Sequence, residues 1–357
     1  VTISPLPGGL INQTFLLSDG QRRLVLQRVN AVFPASIHGN IHAVTTALAD
    51  HGLTTPLLIP TNEGQLCLEL TAERDKGDHG GDDGGGGETV GQGHSATVWR
   101  IMTHVEGVSF DVVAGAAQAR AAGELVARFH TALDGLTAQP LIQFTGMRVG
   151  VHDTPRHLES LRHSVLTHKD HRLFAQVSLL GDEILSDAAE LQPLPALGAR
   201  ICHGDLKFNN LLFAGAVGPP SQRAVCLVDL DTVGPMALAF EMGDAWRSWC
   251  NRSGEDRPDA QLDLDVFEAS LDGYCQGLGR RLGADERRAL LLGPEWISLE
   301  LAARFASDAL LEAYFGWDPM HFPGRGEHNL IRAQGQHSLY RALLGCRPRR
   351  AHLLGVP

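Results

Sequence analysis

The chain has 357 residues, 43% hydrophobic and 20% charged, with enough apolar material for two parts that each pack a core. Its formal net charge of −11 and sequence pI of about 5.8 argue against nucleic acid or an anionic membrane as main partner, since both are held through clustered cations. No apolar run reaches the length of a membrane span, and the opening residues lack the basic and apolar regions of a signal peptide. The expectation is a cytoplasmic protein, and the absence of an initiator Met fits a trimmed chain. Six scattered cysteines without a C-x-x-C spacing fit reduced thiols rather than a disulfide framework or a zinc site. A short basic run, Arg347-Pro348-Arg349-Arg350, reads as a solvated tail.

Residues 14–17 and 23–27 read as strands flanking the turn Ser18-Asp19-Gly20. Residues 36–51 read as one helix, with Ile37, Ile41, Val44 and Leu48 at helical spacing. A second strand pair is predicted at 64–70 and 97–102. Between them, about residues 76–93, lies a polar glycine-rich stretch with too little apolar surface to order itself and no Gly-Lys-Ser/Thr of a phosphate loop. It reads as a disordered hairpin insertion. After about residue 107 the pattern turns to long helices, with one face at Ala122, Leu125, Val126, Phe129 and Leu133. Two more faces follow, at Phe267, Leu271, Tyr274 and Leu278 and at Leu299, Ala302, Ala303, Ala306 and Leu310. No internal repeat is visible. The expected class is α+β, with a small β-rich part over residues 1–103 and a larger, mostly helical part over 104–357.

The chemistry concentrates in residues 201–213, I-C-H-G-D-L-K-F-N-N-L-L-F, and 225–232, V-C-L-V-D-L-D-T. These read as an apolar strand, an exposed turn, a second apolar strand, and a third strand ending in a carboxylate. Phosphoryl transfer needs an acidic group to orient the attacking hydroxyl and oxygen ligands that hold magnesium against the nucleotide phosphates. The spacing H-x-D-x-x-x-x-N assigns Asp205 to the first role, and Asn210 with Asp229 to the second. Lys207 is placed to offset charge on the transferred phosphate. Asn209 is the better candidate for a plain hydrogen bond to the loop backbone. Asp231 stands between contact with a second metal or the acceptor and simply ending its strand. His203 reads as a packed histidine bracing the turn.

A kinase's nucleotide lysine is missing: where the third strand would read V-A-I-K, this chain has Leu24-Val25-Leu26-Gln27, and the following helix has no glutamate to pair with a lysine. Gln27 or Arg28 is the candidate replacement. His152 precedes Asp153-Thr154-Pro155, a helix-capping signal, and is itself a candidate for the substrate cleft. The pair His38 and His42 has metal-like i, i+4 spacing but no third ligand nearby, and reads as structural.

A small sheet with one helix, a short linker, and a helical part holding H-G-D-L-K-F-N-N and D-L-D-T resembles the protein-kinase-like fold of aminoglycoside phosphotransferases and choline kinases. Within that superfamily the chain is similar to the N-acetylhexosamine 1-kinase group. The resemblance rests on residues 11–15 (I-N-Q-T-F), 26–30 (L-Q-R-V-N) with 32–34 (V-F-P), and 152–155 (H-D-T-P), together with the catalytic loop, residues 229–232, Gly243-Asp244 and 327–330 (E-H-N-L). It implies ATP as co-substrate, Mg2+ as metal, and a sugar phosphorylated at its anomeric hydroxyl. It places adenine against Met102, Thr103, His104 and Val105, has Asp244 bonded to the catalytic-loop backbone, and puts Arg304 on the helix lining the sugar pocket. An ion pair of Arg304 with Glu300 is the competing reading. The group also carries Gln at the position of Gln27, which argues against a protein kinase. One departure is Leu10, where those enzymes have a histidine. The rival readings are a kinase for choline, ethanolamine, an aminoglycoside or another sugar, and a catalytically silent nucleotide-binding module.

Overall fold

The first residues add a strand that the hydrophobic pattern did not reveal. In the computed structural model, which describes residues 1–6, 12–70, 97–136, 152–215 and 222–357, β1 (Thr2–Pro5) pairs antiparallel with β2 (Gln13–Ser18). β1 is exposed along its length, so it has no apolar alternation to read. β2 and β3 (Arg23–Val29) form the predicted hairpin. Its turn is closed by Asp19, whose Oδ1 accepts from the backbone N–H groups of Gln21 at 2.9 Å and Arg22 at 2.6 Å. α1 (Ile37–Asp50) follows and buries the predicted Ile37, Ile41, Val44 and Leu48. β4 (Leu68–Leu70) is shorter than expected and pairs with β5 (Thr97–Thr103), which also pairs with β3, giving one five-stranded sheet in the order β1-β2-β3-β5-β4. The predicted glycine-rich insertion and Leu10 lie outside the described residues.

The rest is mainly helical: α2 (Ala116–Leu133), α3 (Thr154–Thr167) and α4 (Phe174–Ala189) precede a set of short strands. β6 (Arg200–Cys202), β7 (Leu211–Phe213), β8 (Ala224–Leu227) and β9 (Gly234–Met236) form two antiparallel pairs, β6 with β9 and β7 with β8. α5 (Leu238–Trp249), α6 (Leu264–Leu278), α7 (Ala284–Leu311), α8 (Arg325–Gly345) and α9 (Arg347–Leu354) complete the chain. This is an α+β fold with a small sheet before a larger helical part. The three predicted helical faces are buried on α2, α6 and α7. Of the two capping candidates before Pro155, Asp153 and Thr154, it is Asp153 that caps α3, accepting from Arg156 N–H at 3.2 Å.

Two glycines let α2 and α6 approach closely. A Cβ at Gly123 would sit 2.0 Å from the Ser270 carbonyl oxygen, and one at Gly273 would sit 1.9 Å from that of Arg120. The hydrophobic cluster behind the short strands joins α2, α5 and α6 through Phe129, Trp246, Phe267 and Tyr274. The strands that carry the polar loop are therefore backed by rigid apolar packing.

The basic run near the C-terminus corrects one expectation. It is the start of α9, and Arg350 is fully buried, donating to the carbonyls of Leu291 at 2.5 Å and Leu343 at 3.0 Å and to Glu295. Arg347 reaches the same carboxylate, at 3.0 Å through its Nε. Glu295 lies in the interior of α7, where a charge must be paired, and that demand comes from another helix and is invisible in the local sequence.

Candidate active site

The loop after β6 is shaped by close backbone contacts. Gly204 has φ of 84°, and a Cβ there would meet the Thr232 carbonyl oxygen at 2.6 Å, so glycine is required on both counts. Thr232 Oγ1 donates to the His203 carbonyl at 2.8 Å, tying this loop to the turn after β8. Beneath it, the fully buried Glu241 on α5 accepts from the backbone N–H groups of His203 at 2.7 Å and Gly204 at 2.9 Å. One turn along α5, Asp244 accepts from Leu206 N–H at 2.9 Å and from Arg247 Nε at 2.8 Å. Trp249 Nε1 closes the set by donating to the Leu206 carbonyl at 2.7 Å. One helix thus fixes the loop from below, with Ser248 Oγ also accepting from Phe208 N–H at 3.4 Å.

The electrostatics follow from this burial. Burial alone pushes both carboxyls up, but hydrogen bonding and charge from His130 hold Glu241 below the usual range, and Arg247 does the same for Asp244. His130, Cys202 and Glu241 have donor atoms within 4.8 Å of one another. Glu241 is already saturated by loop N–H groups, burial drives the Cys202 thiol well up, and His130 is bonded to Tyr274 at 2.9 Å, so this group is a hydrogen-bonded support. His203 also supports, with its ring nitrogens 2.9 Å from the Val228 carbonyl and 3.3 Å from Asp205 N–H. The carbonyl partner puts the ring proton on Nε2 and leaves Nδ1 to accept.

Asp205 projects from this braced loop with Lys207 Nζ at 3.2 Å from its Oδ2. Burial disfavours the ammonium, but the charges of Asp205 and Glu255 outweigh it and raise the Lys207 pKa, so this lysine stays a cation. Asn210 donates from Nδ2 to the Asp205 carbonyl at 2.8 Å. It thereby makes the loop contact expected of Asn209, whose own amide points to Asp111 Oδ1 at 3.3 Å. Because the carbonyl fixes the NH2 end of Asn210, its Oδ1 is left as an acceptor.

Asp229 follows β8 with φ of 64° and ψ of 58°, the left-handed region that costs a non-glycine residue about 1–2 kcal/mol. Enclosure by neighbouring protein, with the negative charges of Asp231 and Asp205, raises its carboxyl to about 6, although its outer surface opens to solvent. An amide oxygen and a carboxylate amid excess negative charge suit a hard dication, so Asn210 and Asp229 fit a magnesium site.

The sheet contributes a cation absent from the predicted site. Arg100 on β5 lies opposite Gln27 of β3, and its Nε donates to Gln27 Oε1 at 2.8 Å. Its Nη1 pairs with Asp231 Oδ1, both side chains being only 2% exposed. Asp231 Oδ2 accepts from Asn12 Nδ2 at 2.5 Å. The carboxylate left open between metal, acceptor and strand end is thus committed to the sheet. Gln27 also donates to Thr14 Oγ1 at 3.0 Å. Met102 is buried at the end of β5, and Thr103 exchanges bonds with Leu57 at 2.9 Å. His104 and Val105 are half-buried in the linker beyond it. The linker is clamped where Val108 and Phe213 exchange backbone bonds at 2.8 and 2.9 Å, with Gly107 against Leu212.

A second polar cluster forms around Glu300 of α7, fully buried. Its carboxylate accepts from Thr154 Oγ1 at 2.7 Å, sits 3.0 Å from His152 Nδ1, and lies 3.8 Å from the Arg304 guanidinium. His152 stacks on Phe240 with ring centroids 5.4 Å apart, and Arg304 lies over the rings of Tyr314 and Phe315. The i, i+4 pairing of Arg304 with Glu300 is therefore real, but its carboxylate is a buried hub. The Glu300 and Arg304 spacing was legible in the sequence, whereas Glu241, which shares a helical face with Asp244, is the signal that sequence reasoning passed over. Arg100 has no such local signal.

A two-part α+β fold with an aspartate loop, an amide oxygen and a carboxylate at the next strand end defines a protein-kinase-like phosphotransferase. The chain belongs to the phosphotransferase enzyme family, whose model matches residues 2–291. It is similar in structure to an aminoglycoside phosphotransferase from Alicyclobacillus acidocaldarius, at 18% identity and a TM-score of 0.61, covering 98% of this chain and 92% of that one. It is also similar to choline kinase from Cryptosporidium parvum, at 11% identity and a TM-score of 0.53, over 99% and 91% of the two chains. A third similar structure is spectinomycin phosphotransferase in complex with ADP and spectinomycin, at 13% identity and a TM-score of 0.52, over 96% and 93%. Among the described residues no helix is long and apolar enough to cross a membrane.

Proposed function

We propose that the protein uses ATP and magnesium to phosphorylate a hydroxyl of a small molecule, and that this molecule is an N-acetylhexosamine phosphorylated at its anomeric oxygen. The observation that carries the phosphotransfer reading is Asp205 on its braced loop, with Lys207 at 3.2 Å and with Asn210 bonded back to its carbonyl. The ADP complex of spectinomycin phosphotransferase supports a nucleotide co-substrate.

In this reading Asp205 accepts a hydrogen bond from the acceptor hydroxyl and orients its oxygen toward the γ-phosphorus. The new P–O bond forms as the bond to the bridging oxygen of ADP breaks, and the hydroxyl proton passes to Asp205. Lys207 offsets charge on the phosphoryl oxygens without leaving its carboxylate neighbour. Asn210 and Asp229 hold magnesium, which when bound neutralises phosphate charge. The linker from Met102 to Val105 takes the adenine, and the proposed division of labour puts the nucleotide with residues 1–103 and the acceptor with 104–357.

The sugar assignment rests on the resemblance at residues 152–155 and 327–330 and on the cluster around Glu300. Arg304 and His152 offer an acceptor donors suited to sugar oxygens, and the Arg304 guanidinium lies over one face of the Tyr314 and Phe315 rings. The test is ATP consumption by the purified protein with magnesium against sugars, amino-alcohols and aminoglycosides, followed by phosphorus NMR of the product. An anomeric phosphate on N-acetylglucosamine or N-acetylgalactosamine is expected. Turnover only with another acceptor would discard the sugar while keeping the phosphotransfer roles, and no turnover beside tight nucleotide binding would favour a silent module.

A further inference from the structure

The missing lysine–glutamate pair leaves the sheet without its usual cation, yet a buried cation is there. Arg100 reaches it from the neighbouring strand: the register sets Arg100 directly opposite Gln27, so both side chains leave the same face of the sheet. Its carboxylate partner is Asp231 rather than a residue of α1. Asp231 follows Asp229 by two residues, inside the short 3-10 turn Leu230–Thr232 that begins at the left-handed Asp229. The other oxygen of Asp231 is held by Asn12, which in turn accepts from Asn30 N–H at 2.9 Å at the end of β3. Two independent contacts, from Arg100 in β5 and from Asn12 just before β2, therefore converge on one carboxylate in the turn that carries Asp229.

Stability alone does not account for this pair. Removing two charges from water is costly, and apolar groups of the same shape commonly serve the fold as well. What the pair supplies is a fixed position, since a guanidinium holds a carboxylate in a defined plane. Asp229 needs that help, because its backbone conformation is one a non-glycine residue keeps only when its surroundings enforce it.

We propose that Arg100 and Asp231 form a positioning pair that links the nucleotide-binding sheet to the Asp229 turn and so sets the magnesium ligand relative to the nucleotide phosphates. The inference rests on the reading of Asp229 as a magnesium ligand. Neither member touches the reacting atoms, so their removal changes metal-dependent nucleotide binding before anything else.

The test is calorimetric titration of ADP with and without magnesium, using wild type and the double variant Arg100→Met with Asp231→Asn, which removes both charges and keeps an acceptor for Asn12. The double variant is expected to unfold close to the wild-type temperature, to bind metal-free ADP within about twofold of wild type, and to bind Mg·ADP at least about tenfold more weakly, the usual cost of losing support behind a metal ligand. A folded double variant with wild-type Mg·ADP affinity overturns the proposal. If the double variant does not fold, Arg100→Lys keeps the charge but not the planar fork, and is expected to weaken Mg·ADP selectively; unchanged Mg·ADP binding by that variant overturns the proposal equally. A wild type whose ADP affinity ignores magnesium is a different failure, because it removes the metal role of Asp229 itself.

Discussion

Replacing Glu241 by Gln is the sharpest probe of how the catalytic loop is held. The carboxylate spends Oε1 on His203 N–H and the His130 ring and Oε2 on Gly204 N–H, all in full burial. An amide of the same shape keeps one oxygen and turns an NH2 toward one of those donors. One hydrogen bond to a charged acceptor is lost, worth about 1.5–3 kcal/mol, and a buried N–H left without a partner costs about 1–3 kcal/mol. These overlap, and about 3 kcal/mol is the working value. The neutral amide regains some desolvation, but the depressed pKa of Glu241 means that the folded protein favours the charged form despite burial. Urea unfolding followed by the fluorescence of the buried Trp246 and Trp249 measures the cost, and kcat reports the slackened Asp205, with a loss of about tenfold or more. A variant within about 0.5 kcal/mol of wild type with unchanged kcat would refute the support role.

Asp205→Ala is expected to lose about 10²-fold or more in kcat, and Asn210→Ala and Asp229→Ala to raise the magnesium concentration needed for turnover; normal turnover by the Asp205 variant would sink the catalytic assignment. Gly123→Ala drives a methyl into the Ser270 carbonyl and should cost about 1–3 kcal/mol or more in urea unfolding, while the exposed Gly39→Ala, with open space around it, should not destabilise. Arg350→Met leaves the buried Glu295 with Arg347 alone and is expected to cost about 3 kcal/mol, checked by the same unfolding curve. Stability should also fall on acidification. Burial lowers the pKa of His38, His130 and His328, so the unfolded chain binds more protons, and their contribution is complete above about pH 6.5 and is lost as pH falls toward the folded values. Asp229, raised to about 6, works in the opposite sense over the same range, so the check is made in Asp229→Asn, where a melting temperature that stays flat between about pH 7.5 and 5.5 would contradict this.

The sequence by itself carried the local elements and the motif: the hairpin around Asp19, the apolar faces of α1, α2, α6 and α7, the cap at Asp153, and the spacing of Asp205, Asn210 and Asp229. Each of these is encoded within a few residues, through turn chemistry, helical periodicity or the order of strand, turn and strand. Exposed β1 left no such pattern. Only the tertiary structure decided which distant polar groups meet: Glu241 under His203 and Gly204, Glu300 against His152 and Thr154, Glu295 with Arg350, and Arg100 with Asp231. Buried charges take partners from wherever packing brings a complementary group, across 131 residues of chain for Arg100 and Asp231. Local spacing cannot encode that choice, because it depends on strand register and helix crossing, which are fixed when the whole core packs.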